Sequence, residues 1–220
     1  MRMAIGCIFG ALSQEENMYV KASRITNLTD ARYFAAREVT YLSFCLEERS
    51  AHFIEPAQMR AIREWVTGPR IVGEFDYFTA VEVREAAAFF SLDAVQVGCL
   101  DLLPALKGLE VLLRVGPVEG PEALSPFLKE QRGQPPAFYA VELTPQAAWA
   151  ALNDADLAQA WRAVSERLPL LLEAPLPTDA FSALLSVVQP AGFSISGSAE
   201  ERPGVKSFDE VDALFEALGY

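Results

Sequence analysis

Short apolar segments alternate with amphipathic segments along most of this chain, eight of each kind. The apolar segments are typical of parallel strands covered on both faces, and the amphipathic segments have helical spacing. Strands are predicted at 19–23, 41–46, 70–75, 94–97, 110–115, 138–143, 170–173 and 192–196. Helices are predicted at 28–38, 56–66, 80–90, 102–106, 121–131, 147–167, 179–188 and 208–218. The alternation predicts an α/β protein, a (β/α)8 TIM barrel with a parallel eight-stranded barrel inside an outer ring of helices.

A doubly wound open sheet is the alternative architecture. Such a sheet usually carries a glycine-rich turn after its first strand. Residues 23–26 are Ser-Arg-Ile-Thr and contain no glycine, which favours the barrel.

Nothing in the composition divides residues 18–220, so we expect a single barrel domain there. Residues 1–17 are expected to be an N-terminal extension, either a non-native start or disordered, with Met18 as the natural first residue. The apolar run at 4–12 is short for a signal peptide and no clear cleavage site follows it. No run approaches the roughly 18 apolar residues of a membrane helix. We therefore expect a cytoplasmic protein without a membrane partner.

The formal net charge of −12 argues against sequence-independent binding to nucleic acid, which needs a basic surface. It also means that any anion site must be local. Cys7, Cys45 and Cys99 are too few and too scattered for a disulfide framework or a zinc site. With His52 as the single histidine, we expect no metal site. The oligomeric state is not predictable from these features.

Residues 19–33 form the most informative segment, a predicted strand that turns at once into a helix. Asn27 can cap that helix, with Asp30 three residues later near the positive end of the helix dipole. Functional residues of strand–helix units lie where the strand ends. Ser23 and Arg24 occupy that position and are the first candidates for a functional role.

The chain from residue 19 onward resembles the phosphoribosylanthranilate isomerases of tryptophan biosynthesis. Val20-Lys21 and residues 25–33 correspond to the Lys-Ile-Cys-Gly-Ile-Thr start of that family. Residues 92–97 resemble the run into its Gln-Leu-His-Gly motif, and 192–206 resemble its last strand and following loop. The resemblance implies a TIM barrel and a small, phosphorylated ligand. It further implies an Amadori rearrangement of an aminoaldose phosphate to an aminoketose phosphate, with a general acid, a general base and no metal or organic cofactor.

Several positions depart from that family pattern. The family's general-base cysteine corresponds to Ser23, and the glycine after it corresponds to Arg24. Its general-acid aspartate corresponds to Glu142, one methylene longer. His52 replaces an arginine of the loop after the second strand and could hydrogen-bond a ligand carboxylate. The family's His-Gly after strand four becomes Gly98-Cys99.

The expected phosphate site is the sharpest departure. In such barrels the phosphate lies between the loops after strands seven and eight, on backbone N–H groups and a helix N-terminus. The family's Gly-Gly after strand seven is Ala174-Pro175 here, and proline has no N–H to donate. Glu173 adds a like charge. Ser196-Gly197 keep the family form, so half of an anion site could persist there.

These departures favour an isomerase-like barrel whose Amadori chemistry is lost or altered. One alternative is an active phosphoribosylanthranilate isomerase with Glu142 as the general acid. Another is a different small-molecule enzyme or binding protein on the same barrel, using Glu142 with Arg24 and His52. Fold resemblance alone does not decide among them.

Overall fold

The computed structural model describes residues 18–129, 134–197, 200–202 and 205–220. Eight parallel strands close into a barrel, with β8 paired back to β1 over five residues. The strands are β1 (Tyr19–Ser23), β2 (Tyr41–Cys45), β3 (Arg70–Phe75), β4 (Ala94–Val97), β5 (Glu110–Val118), β6 (Phe138–Leu143), β7 (Leu170–Glu173) and β8 (Gly192–Ser196). The predicted (β/α)8 barrel is confirmed. The predicted extension at 1–17 lies outside the described residues, as does part of the loop after β8.

Helices surround the barrel in the predicted order. They are α1 (Leu28–Ala36), α2 (Pro56–Arg63), α3 (Ala80–Phe90), α4 (Ser125–Lys129), α5 (Pro145–Asn153), α6 (Ala155–Ser165), α7 (Thr178–Val188) and α8 (Asp209–Leu218). Two 3₁₀ turns, Leu100–Leu106 and Pro121–Leu124, lie in the connections after β4 and β5. The loop after β8 carries a small antiparallel pair, β9 (Glu200–Arg202) and β10 (Val205–Lys206). Among the helices described, none is long and apolar enough to cross a membrane.

The helix predicted over 147–167 is two helices, α5 and α6. Asp154 ends the first and caps the second, with extended backbone angles of φ −122° and ψ 112°. Its carboxylate accepts hydrogen bonds from the backbone N–H groups of Asp156 and Leu157. Aspartate competes well for such N–H groups, so the chain turns here although the apolar spacing continues.

Helix capping follows the prediction at α1 but not at α7 and α8. Asn27 caps α1, and its side chain accepts a 2.9 Å hydrogen bond from the Asp30 N–H. The helices predicted at 179–188 and 208–218 would place Thr178 and Ser207 at their N-caps, but Pro177 and Phe208 occupy those positions. The Thr178 hydroxyl donates instead to the Glu210 carbonyl, and so links the two helices. Thr178 is already the first residue of α7, so it lies one position past the N-cap.

The barrel interior is apolar at one end of its axis and polar at the other. One end is filled by a separate apolar cluster that comprises Tyr41, Val72, Ala94, Leu112, Phe138 and Leu171. Because side chains alternate between the two faces of a strand, the next inward position lies two residues further on. Several of these positions are polar and buried, namely Lys21, Ser43, Glu74, Gln96 and Ser194. The polar end is the carboxyl end of the strands, where TIM barrels place their sites.

Candidate functional site

A buried ion pair lies across the barrel interior, below the mouth. The Lys21 Nζ donates to Glu74 Oε1 at 2.8 Å, and Lys21 and Glu74 are only 2% and 9% exposed. The Ser43 hydroxyl also donates to the Glu74 carboxylate. Burial acts to raise the pKa of Glu74, but the Lys21 ammonium and these hydrogen bonds hold it below its usual range. Burial lowers the pKa of Lys21, against the attraction of Glu74.

Ser23 is bound to the same ammonium group. Lys21 Nζ donates a second hydrogen bond, of 2.8 Å, to Ser23 Oγ. Ser23 is 1% exposed and lies at the end of β1, opposite Ser196 of β8. The hydroxyl therefore acts as an acceptor for a cation, fixed by a short and charge-assisted contact.

Arg24 follows in the left-handed region, at φ 57°. Non-glycine residues rarely adopt this conformation, which costs about 1–2 kcal/mol. Its guanidinium forms an ion pair with Glu173 at the end of β7, and both side chains are partly exposed. The backbone at residue 24 thus keeps a shape that suits glycine, while the side chain crosses the mouth from β1 toward β7.

Glu142 is the second-last residue of β6 and lies beside Glu173 in the strand register. Its carboxylate forms no hydrogen bond or ion pair with any residue in the described part of the chain. It lines both of the cavities at the mouth. Of the two neighbouring carboxylates, Glu173 is therefore neutralised by Arg24 and Glu142 is free to meet a ligand.

The central cavity, of about 260 Å³, lies over the barrel axis. Ser23, Arg24, His52 and Glu142 all line it. Gln96 also lines it and is 6% exposed, and its Oε1 meets no hydrogen-bond donor among the residues described. A further ion pair, between Arg114 and Asp76 at 2.7 Å, lies at its side and also lines it. Apart from Glu142, the charged groups of this cavity are thus largely paired.

The outer cavity, of about 800 Å³, lies between the ends of β7 and β8 and helices α7 and α8. Residues 174–176, Ser196 and Gly197 line it, together with Arg24 and Glu142. A Cβ added at Gly197 would lie 2.3 Å from Asp30 Oδ2, so this glycine permits close packing of the residue after β8 against α1. The outer and central cavities meet at Arg24, Glu142 and Glu173, which line both.

The mouth brings together every residue predicted for a site. Ser23, Arg24, His52 and Glu142 surround the central cavity, and Ser196 and Gly197 the outer one. Their catalytic and binding roles stay predictions. The prediction omitted the buried polar layer of Lys21, Ser43, Glu74, Gln96 and Ser194. Two-residue spacing from Ser23 and Ser196 points to Lys21 and Ser194, and this signal could have found them.

We expect Arg24→Gly to leave a more stable protein than Arg24→Ala. Both variants lose the partly exposed ion pair with Glu173, which is worth up to about 1 kcal/mol. Only glycine relieves the left-handed backbone, so the two free energies of unfolding should differ by about 1 kcal/mol. Urea denaturation of both variants measures the difference directly. Equal stabilities would mean that the backbone at this residue carries no strain.

Comparison with known proteins gives one consistent relationship. No family model matches the chain. The N-(5'-phosphoribosyl)anthranilate isomerase of Nostoc punctiforme is 26% identical over 215 residues, which are 92% of this chain and 99% of that protein. The phosphoribosylanthranilate isomerase of Thermus thermophilus has a TM-score of 0.68 and 25% identity, over 92% of this chain and 98% of that one.

A second solved structure is a phosphoribosylanthranilate isomerase in complex with reduced 1-(o-carboxyphenylamino)-1-deoxyribulose 5-phosphate. Its TM-score is 0.71 at 22% identity, over 93% of this chain and 100% of that one, and at this identity it supports the fold. In sequence and in fold, the chain is similar to the phosphoribosylanthranilate isomerases.

Proposed function

We propose that residues 18–220 form one barrel domain that binds a small molecule at its mouth and no longer catalyses the Amadori isomerisation of phosphoribosylanthranilate. The observation that supports this most strongly is the contact between Lys21 and Ser23. Ser23 stands at the family's general-base position, where its oxygen accepts a hydrogen bond from a buried ammonium. A serine hydroxyl does not titrate near neutral pH. No carboxylate or imidazole in the described part of the chain is bound to Ser23, so nothing there removes its proton.

The region expected to hold phosphate also argues for a lost reaction. Pro175 has no N–H to offer, and it follows β7 where the family has glycine. Asp209 and Glu210 lie in the first turn of α8, and Asp179 lies in that of α7. Acidic side chains at these positions already interact with the positive ends of the helix dipoles, and they repel an anion.

The ion pair between Arg24 and Glu173 lies between the two cavities. Phosphoribosylanthranilate carries a phosphate at one end and a benzoate carboxylate at the other. A bound substrate would have to extend across both cavities, past this pair. Two anionic ends are poorly matched to a mouth where Glu142 and Glu173 stand side by side.

The arrangement of Glu142 supports the alternatives. Its unpaired carboxylate faces both cavities, as a general acid of an active isomerase would. The central cavity also places His52 and Arg24 near it, as a different enzyme on the same barrel would need. Arg24 is engaged with Glu173, however, which leaves it less available to a substrate.

Complementation tests the proposal. The gene should fail to support growth of a tryptophan auxotroph that lacks the isomerase, and the purified protein should give no turnover of N-(5'-phosphoribosyl)anthranilate above the uncatalysed rate. The Nostoc punctiforme relative serves as the positive control. Growth that Glu142→Gln abolishes would instead establish the active isomerase, with Glu142 as its acid.

A cysteine restored at residue 23 should have a pKa below the usual value of about 8.5, because Lys21 would donate to its thiolate. In a pH titration of Ser23→Cys, we expect the ultraviolet absorbance of the new thiolate to appear at a pH below about 8.5. The wild-type titration, with Cys7, Cys45 and Cys99, is subtracted as the baseline. Burial raises the pKa of the Cys45 thiol, so Cys45 should ionise at a higher pH than the new cysteine. A new step above pH 8.5 would show that burial outweighs the ammonium.

A further inference from the structure

We propose that the outer cavity binds a small organic ammonium compound, a primary amine with an apolar body. The inference rests on the proposed function and names the ligand class of that site. Three properties of the cavity support this ligand class: its charge, its hydrogen-bonding groups and its apolar surface.

The charged groups of the outer cavity are predominantly acidic. Its described lining holds the carboxylates of Glu142, Glu173, Asp209 and Glu210, and Arg24 is the one cationic side chain among them. Arg24 is paired with Glu173. The other three carboxylates have no cationic partner among the described residues. A cleft lined by one sign of charge raises the local concentration of the opposite ion.

A buried hydroxyl in the same cavity lacks a partner. Ser194 lines the outer cavity from β8 and is 3% exposed, and its Oγ meets no hydrogen-bond partner in the described part of the chain. Leaving a buried polar group unpaired destabilises the folded protein. A ligand N–H that donates to this oxygen would offset that cost. Glu142 and Ser194 lie on β6 and β8, the two strands that flank β7, so both line the cavity from the barrel.

The rest of the cavity is apolar. Phe181 of α7 and Val211 and Leu214 of α8 line it between the helices, and Pro175 and Leu176 line it after β7. Its volume of about 800 Å³ is in the range of sites that bind small organic molecules. An ammonium at the carboxylates and an apolar body against α7 and α8 would match both parts. A purely polar cation would leave the apolar part in contact with water.

The probes are three primary amines: 2-phenylethylamine, n-hexylamine and cyclohexylmethylamine. The neutral 2-phenylethanol and the anionic phenyl phosphate are the matched controls. Calorimetric titration and the thermal unfolding midpoint at neutral pH measure binding. We expect saturable binding of at least one amine, with affinity about tenfold or more above that of 2-phenylethanol, because the ammonium forms a charge-assisted hydrogen bond that the alcohol cannot form. Phenyl phosphate should not bind.

Glu142→Gln and Ser194→Ala should each weaken amine binding about tenfold, whereas Glu85→Gln on the exposed face of α3 should not change it. Equal binding of the alcohol, binding of phenyl phosphate, or no binding of any of the three amines would overturn the inference. The proposed function fails separately, through turnover of N-(5'-phosphoribosyl)anthranilate. A protein that binds phenyl phosphate without turnover would contradict only the ligand class.

Discussion

Lys21→Met is expected to lower the free energy of unfolding by about 3–5 kcal/mol at neutral pH. The variant removes one partner of a buried ion pair and leaves the Glu74 carboxylate, at 9% exposure, with Ser43 as its one donor among the described residues. Ser23 loses its donor as well. An isolated charge in a poorly solvated interior costs far more than the mutual attraction of the pair contributes. Urea denaturation followed by circular dichroism measures the loss.

The double variant Lys21→Met with Glu74→Leu distinguishes the effect of an unpaired charge from the effect of lost packing. Removing both charges leaves no unpaired group from the pair, so most of the lost stability should return. Its stability should lie within about 1–2 kcal/mol of the wild-type protein. If the double variant is as unstable as the single one, the damage comes from lost packing, and an unpaired carboxylate is not its cause.

The pH dependence of the single variant gives a second check. In the wild-type protein the pKa of Glu74 lies below its usual 4.5, so its contribution is present above that pH and is lost only as the pH falls through the lowered value. Without Lys21, burial dominates and raises that pKa. The folded variant then takes up a proton before the unfolded chain does, and it gains stability as the pH falls. The difference between variant and wild type should narrow from about pH 7 to about pH 5.

Trp161→Ala is expected to destabilise the protein by about 3–5 kcal/mol. Trp161 lies on α6, is fully buried and belongs to the main core between the barrel and the helices. Truncation removes a large apolar surface and leaves a cavity. The effect is to be measured by equilibrium denaturation, as for Lys21.

Trp161→Phe separates the effect of the indole N–H from the effect of packing. The indole Nε1 of Trp161 has no hydrogen-bond partner among the described residues. Phenylalanine removes that unpaired donor and keeps most of the ring, so the lost packing is partly offset. We expect a loss well below that of alanine. If phenylalanine costs as much as alanine, the Nε1–H must have a partner, and the packing argument fails.

The fold was predictable because its signal repeats eight times. Six of the eight predicted strands have the bounds found in the structure, and helix starts at Pro56 and Ala80 agree as well. The predictions are wrong where a single side chain determines where a helix ends or which type of helix forms. Apolar spacing continues through Asp154, yet its carboxylate caps a new helix. The segment before β5 contains Pro104 and forms a 3₁₀ turn.

The site was predictable in its location and not in its pairing. Strand ends and the family resemblance indicated Ser23 and Arg24, and both lie at the mouth. The ion pairs of the site join residues that are distant in sequence: Glu74 is 53 residues from Lys21, and Glu173 is 149 residues from Arg24. Such contacts depend on the register of closed strands, which a local pattern does not encode. The unpartnered Ser194 hydroxyl is likewise a property of its three-dimensional surroundings.

Arg24 affects the mouth of the barrel through both its side chain and its backbone. Its guanidinium pairs with Glu173 between the two cavities, and its backbone occupies a conformation natural to glycine. A change to glycine would alter the charge of the mouth, the separation of the cavities and the local backbone energy in one step. These three properties are therefore coupled at this one residue.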